Sequence, residues 1–169
     1  MSSARHPLAV QHCEIAGPAL ARMLEFKTFK YPLTSLALSM LPAPGNVQRD
    51  DSGHAQLLHV APGRFLARAS ASDWVRELAA LQAAGVGALF DVEGKWHEFA
   101  LMGTDVHRVL SCTIDLSEVL ANRQCAALQL FDCPAVLALH GNLYEVWVEA
   151  SYAVAFRERI GSQVGLSGS

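Results

Sequence analysis

Apolar and polar positions alternate cleanly from Thr34 to Leu41, with Leu36, Leu38 and Met40 on one side and Ser35, Ala37 and Ser39 on the other. That period of two predicts a half-buried strand. The stretch before it is ambiguous: Leu20, Leu24 and the Met23/Lys27 pair sit at helical spacing within Ala16 to Phe29, but Pro18 and Pro32 limit any helix and leave part of the arm as loop. After Pro42, turn-forming residues run to Gly53 and predict a loop. Gln56 to Val60 and Arg64 to Arg68 read as two strands joined by Ala61-Pro62-Gly63. Ser70 to Asp73 offers N-cap residues for a helix from about Asp73 to Ala84, with Trp74, Leu78 and Leu81 on one face and Gly85 as its stop.

The remainder of the chain is denser in strand signals. Gly87 to Val92 and Trp96 to Met102 are expected to form a hairpin around Glu93-Gly94. In the second of these, His97, Phe99 and Leu101 share one face and Glu98 and Ala100 the other. A short helix is predicted over Asp105 to Ser111, and one more turn over Ser117 to Asn122. Gln124 to Phe131, Ala135 to His140 and Leu143 to Glu149 are strands, the last two joined by Gly141-Asn142. Ser151 is expected to cap a final helix carrying Tyr152, Phe156 and Ile160 at four-residue steps. From Arg64 onward the order is strand, helix, strand, strand, helix, strand. That is the ferredoxin-like split β-α-β pattern, extended by a hairpin and a helix. The expected class is α+β with a mostly antiparallel sheet. Residues 1–32 are set apart as an N-terminal extension, 33–164 form the domain, and 165–169 are a flexible tail. No repeat is visible at the level of sequence.

Composition narrows the possible functions. Of 169 residues, 51% are hydrophobic and only 17% charged, so there is apolar material for a core and some to spare for a partner. The net charge of −3 and the lack of a Lys/Arg cluster argue against nucleic acid. No apolar run reaches the roughly 20 residues that span a bilayer. The start, Met1 to Pro7, lacks the apolar core of a secretory signal, which gives a cytoplasmic expectation.

Candidate chemistry is sparse. Cys13, Cys112, Cys125 and Cys133 form no Cys-x-x-Cys pair and are expected as reduced thiols in or near the core. Gly85-Val86-Gly87 lies between a helix and a strand, the wrong order for a phosphate-binding loop. His107 and Cys112 fall off a common helical face, and His54 and His59 have opposite strand parity. His97 is expected as a hydrogen-bonded core or interface residue. The close carboxylate pairs are Asp50-Asp51, expected to be solvated, and Asp91/Glu93, expected to secure a turn. The residues assemble no catalytic, cofactor-binding or metal site.

Scattered landmarks in fixed order resemble the gamma subunit of heterotetrameric sarcosine oxidase. Pro62-Gly63-Arg64-Phe65-Leu66 corresponds to that family's Gly-Pro-acidic-x-Trp-Leu hairpin, and Phe90-Asp91-Val92 with Trp96 to its Asp-Val-Ser-x-Gly-Trp. Leu101-Met102-Gly103 matches Leu-Ser-Gly, and Val109-Leu110 through Cys112 to Asp115-Leu116 matches Val-Leu-x-x-x-Cys-x-x-Asp-Leu. Cys125-Ala126, Pro134 to Leu137 and Ser151-Tyr152-Ala153 complete the series. The same landmarks are similar to the wider folate-binding family of the glycine-cleavage T-protein. There are departures. Asp132-Cys133-Pro134 crosses directly where T-protein-like enzymes carry a longer insertion, so Asp132 is not carried over as a folate carboxylate. Ser111 replaces a glycine, Val136 to Leu139 lacks a tryptophan, and the first 30 residues match nothing in the family.

The resemblance implies a T-protein-like fold and a non-catalytic subunit. FAD, FMN, NAD and tetrahydrofolate would sit in the partner alpha and beta chains, delta would be a further partner, and this chain would pack against alpha. The complex would oxidatively demethylate sarcosine or a related N-methyl amine, as an N-methylglutamate dehydrogenase would, and pass the one-carbon unit to tetrahydrofolate. Two alternatives stay open: a stand-alone folate-binding or aminomethyltransferase-like domain, and an unrelated cytosolic α+β interaction domain.

Overall fold

Ten strands divide equally between two antiparallel sheets in the structure, a computed structural model that describes residues 13–30 and 41–166. The first sheet has the order β1-β7-β10-β9-β8, built from β1 (Glu14–Ala21), β7 (Trp96–Met102), β10 (Leu143–Glu149), β9 (Cys133–His140) and β8 (Cys125–Leu130). The second has the order β3-β4-β5-β2-β6, from β3 (Val47–Arg49), β4 (Ala55–Ala61), β5 (Arg64–Arg68), β2 (Met23–Thr28) and β6 (Gly87–Asp91). Four helices follow in chain order: α1 (Ser72–Ala83), α2 (Val106–Leu110), α3 (Leu116–Val119) and α4 (Ala153–Leu166). The strand expected over Thr34 to Leu41 lies, except for Leu41, outside the described residues.

Three apolar clusters define four layers. Phe26, Leu57, Phe65 and Ala67 pack against Leu78 and Leu81 of α1. Met23, Leu58, Leu66, Trp96, Val136 and Trp147 fill the seam between the sheets. Phe99, Leu137, Val146 and Val148 meet Val109 of α2, Leu116 of α3, and Phe156 and Ile160 of α4. Both faces of the central strands are therefore buried, which is why β9 and β10 read as continuous apolar runs rather than alternating ones.

Two expectations about connectivity are corrected. Trp96 to Met102 does not return as a hairpin on Gly87 to Val92: β6 pairs with β2, while β7 pairs with β1 and β10 in the other sheet. The Glu93-Gly94 turn is a crossing between sheets. Likewise Ala16 to Phe29 forms no helix, because β1 and β2 occupy it and supply one strand to each sheet. Its leucines found strand partners, and pairing with β7 and β5 outweighs weak helical spacing. The split β-α-β unit is present as β5-α1-β6, with β2 inserted between its parallel strands.

The second sheet's path is repeated in the first. Replacing β2, β3, β4, β5 and β6 by β7, β8, β9, β10 and β1 reproduces the same order, with α4 in the place of α1. The strand that would follow α4 is supplied by β1 from the start of the chain.

Caps also differ from expectation. Ala71 occupies the N-cap of α1 without a side-chain bond, and a 3-10 turn over Ala150–Tyr152 precedes α4 in place of a Ser151 cap. Asp115 caps α3, accepting from the Glu118 N–H at 3.1 Å. Helix α4 runs through Leu166, two residues into the segment expected as tail.

Candidate functional site

Arg49, Arg68, Glu98 and Glu145 concentrate charge in the seam, and strand parity puts the last three there. On β5, Phe65 and Ala67 point to α1, so Arg64, Leu66 and Arg68 point into the seam. On β7 and β10, Trp96 and Trp147 face the seam, and Glu98 and Glu145 share their parity. Arg68 meets both carboxylates: Nη1 donates to Glu98 Oε2 at 2.8 Å, and Nη2 donates to Glu98 Oε1 and, at 3.3 Å, to Glu145 Oε1. Its Nε donates to the Ala55 carbonyl at 2.7 Å, and its guanidinium carbon lies 5.5 Å from the Trp147 ring. Burial disfavours its charged form, but the Glu98 and Glu145 carboxylates outweigh this and hold it above its ordinary pKa.

Glu145 is 1% exposed and has a second cation. Arg49 Nη1 donates to its Oε2 at 2.6 Å and to the Gly53 carbonyl at 2.7 Å, while Nη2 reaches the Leu139 carbonyl at 3.1 Å. The Ala55 N–H donates to the same carboxylate at 3.2 Å, and His54 Nδ1 lies 3.5 Å away. A cleft of about 290 Å³ opens beside the cluster, lined by Asp50, His54, Gln56, Arg68, Ser70 and Glu98. That is at the lower limit of usual ligand pockets.

Chemically, this arrangement joins two sheets. Each carboxylate already accepts from at least one guanidinium, and Arg68 bonds through all three of its nitrogens. General-base or anion-binding work would require breaking ion pairs in which Glu145 is buried and Arg49, Arg68 and Glu98 are largely shielded from solvent. The seam also holds the Trp96 and Trp147 indole N–H groups, which have no hydrogen-bond partner among the described residues.

The residues singled out from sequence are dispersed. Asp91 does secure a turn, accepting from the Glu93 N–H at 3.0 Å, and it also pairs with Arg22 at 3.2 Å. Asp50 does more than meet solvent. It accepts from the Ser52 hydroxyl, the Ser52 and His54 N–H groups and the Gln56 amide, and the Ser52 hydroxyl bond chiefly lowers its pKa. His59 is buried and stacked on Phe65, with ring centroids 4.0 Å apart. Its Nδ1 lies 2.9 Å from the Pro42 carbonyl, which can only accept, so that nitrogen carries the proton, and the buried Nε2 has no partner among the described residues. His97 Nδ1 is likewise buried with no hydrogen-bond partner among the described residues.

Cys125 and Cys133 are buried, in different clusters, and burial pushes the Cys125 thiol up to about 12. Cys112 is exposed rather than near the core. Asp132 stands at the tip of the β8–β9 turn with its side chain 95% exposed and Arg159 3.6 Å away. Among the described residues, no three His, Cys, Asp or Glu side chains converge as a metal-ligand set, and no helix is long and apolar enough to cross a membrane.

Glu145 was not anticipated. The signal available was one carboxylate inside the apolar run of β10, in register with Trp147. Glu98 had been assigned its face, but not the arginine opposite it.

No family model matches the chain, and no curated protein does. A chain of the heterotetrameric sarcosine oxidase from Corynebacterium sp. U-96, solved in complex with pyrrole 2-carboxylate, is similar in structure. Its TM-score is 0.75 at 19% identity, over 96% of this chain and 88% of that one. A Vibrio cholerae protein of unknown function is similar only at a TM-score of 0.32 and 14% identity, over 89% and 88% of the two chains, and carries no argument. The α+β architecture of two mostly antiparallel sheets is thus shared, along nearly its whole length, with a chain of a heterotetrameric sarcosine oxidase.

Proposed function

We propose that this chain is a non-catalytic, gamma-type subunit of a sarcosine oxidase-like flavoenzyme, packing against the large alpha subunit. The observation that carries this reading is the fold shared with a chain of such a heterotetramer over 96% of the present one. The ordered landmarks from Pro62 to Ala153 support it from the sequence side. So does the seam, where Arg49, Arg68, Glu98 and Glu145 are spent on one another. In this proposal the flavins, NAD and tetrahydrofolate are held by partner chains, and the complex oxidises sarcosine or a related N-methyl amine in the cytoplasm.

The test is to purify the tagged full chain from its native source. A flavin-bearing partner in fixed stoichiometry, with flavin reduced on adding an N-methyl amine, is the expected result. A solitary chain that binds tetrahydrofolate would replace this reading with that of a stand-alone folate domain.

A further inference from the structure

Of the seven phenylalanines, Phe26, Phe65, Phe99, Phe131 and Phe156 are buried; Phe29 and Phe90 are 67% and 47% exposed. The two exposed ones fall together. Phe90 pairs across the ladder with Glu25, and Ala88 with Lys27, so all four lie on the seam-side face of β2 and β6. Phe29 follows two residues after Lys27, and its N–H continues the ladder onto the Val86 carbonyl at 3.0 Å. Gly87 holds this corner tight, because a Cβ there would collide with the Lys27 carbonyl. The first sheet covers Met23 and Leu66 completely but leaves Arg64 30% and Lys27 56% exposed. Beyond Glu25 the seam-side face is therefore left uncovered by the first sheet.

Its charge is unbalanced. Arg64 and Lys27 share a single buried carboxylate, Glu25, at 2.5 and 3.7 Å, and Lys27 Nζ lies 6.0 Å from the Phe90 ring centroid. Arg22 and Asp91 neutralise each other beside it. Among the described residues, the corner thus carries two exposed aromatic rings and, with Arg64 and Lys27 sharing Glu25, one surplus positive charge on a chain whose net charge is −3. Strand addition is blocked at the adjacent edge, where the Leu89 N–H is already taken by the Gln82 side chain at 2.6 Å. Aromatic anchors beside Arg and Lys, on a face rather than an edge, are the composition of a protein interface core.

We infer that the Phe29–Lys27–Phe90 corner is the surface by which this chain docks on its flavin-bearing partner, against an apolar patch flanked by carboxylates. The inference rests on the subunit reading. It is tested with the tagged full chain in its native source, as wild type, F29S/F90S, K27E and, as a control on α4, V154S. Val154 is 70% exposed and lies outside this corner. With thermal midpoints unchanged, F29S/F90S is expected to retain at least about tenfold less of the flavin-bearing chain than wild type. K27E is expected to weaken retention most at low salt, and V154S to retain the partner fully. Full retention by F29S/F90S would overturn the surface and leave the subunit reading intact. Failure of wild type to recover any flavin-bearing chain would overturn both. If wild type sediments as a dimer and F29S/F90S as a monomer, the corner joins two copies of this chain instead.

Discussion

Strand β5 sends Arg64 and Arg68 off the same face, four residues apart, into different surroundings. Arg68 finds Glu98 and Glu145 on the opposite sheet, so the seam closes there. Among the described residues Arg64 finds Glu25 alone, from the neighbouring strand of its own sheet, and its side chain stays 30% exposed. The same residue type on the same strand is an inter-sheet clamp at one end and part of an exposed cationic, aromatic corner at the other. What distinguishes them is coverage: the first sheet places Glu98 and Glu145 where it overlaps the second, and beyond that overlap, among the described residues, Arg64 and Lys27 share Glu25.

If the closed end is a clamp, removing its central carboxylate should have the largest effect. Glu145→Ala strips Arg49, whose side chain is 12% exposed, of its carboxylate, and should cost about 3–5 kcal/mol in urea unfolding. A loss under about 1 kcal/mol would mean the cluster is incidental. At the open end, Arg64→Ala leaves Glu25 with Lys27 alone. Because the Arg64 side chain is 30% exposed, the cost should be smaller, about 1–3 kcal/mol by the same assay. Equal losses at both ends would erase the distinction.

Acid should act on neither end of the seam but through His59, on the α1-facing side of β4 against Phe65. Burial holds its imidazole below the ordinary histidine pKa, and the Pro42, Ala61 and Ala43 carbonyls oppose this only in part. Below about pH 6.5 the unfolded chain therefore binds a proton the native chain resists, so stability is full above that value and falls as pH drops. The slope contributed by this group is at most about 1.4 kcal/mol per pH unit, and His59→Gln should flatten it in unfolding curves taken between pH 7 and 5. The smallest effect belongs to the corner. F29S/F90S should shift stability by less than about 0.5 kcal/mol, since neither ring is packed in a core. A larger loss would make the rings structural.

The class of the fold was legible because strand runs such as Leu143 to Glu149 and the amphipathic α1 carry their own periodicity. Their partners were not. Phe90 and Trp96 are separated by a short turn that looks like a hairpin, yet the chain crosses there from one sheet to the other. Only the non-local pairing of β6 with β2, and of β7 with β1, decides this. For the same reason the Leu20/Leu24 spacing misled: strands buried by distant partners override a local helical pattern. The seam cluster was half visible. Glu98 carried the correct parity, but an ion pair across two sheets requires knowing which faces meet, and no local pattern holds that. The duplicated path of the two sheets left no trace in the residues, because it is completed by β1 from the opposite end of the chain.

The central claim is that this chain works only as part of a larger flavoenzyme. The most direct measurement is the native mass and flavin content of the tagged full chain isolated from its source. The account predicts a heteromeric particle with flavin in fixed ratio to this chain. A lone 169-residue monomer free of flavin, under conditions where an N-methyl amine is being oxidised in the same cells, would contradict it.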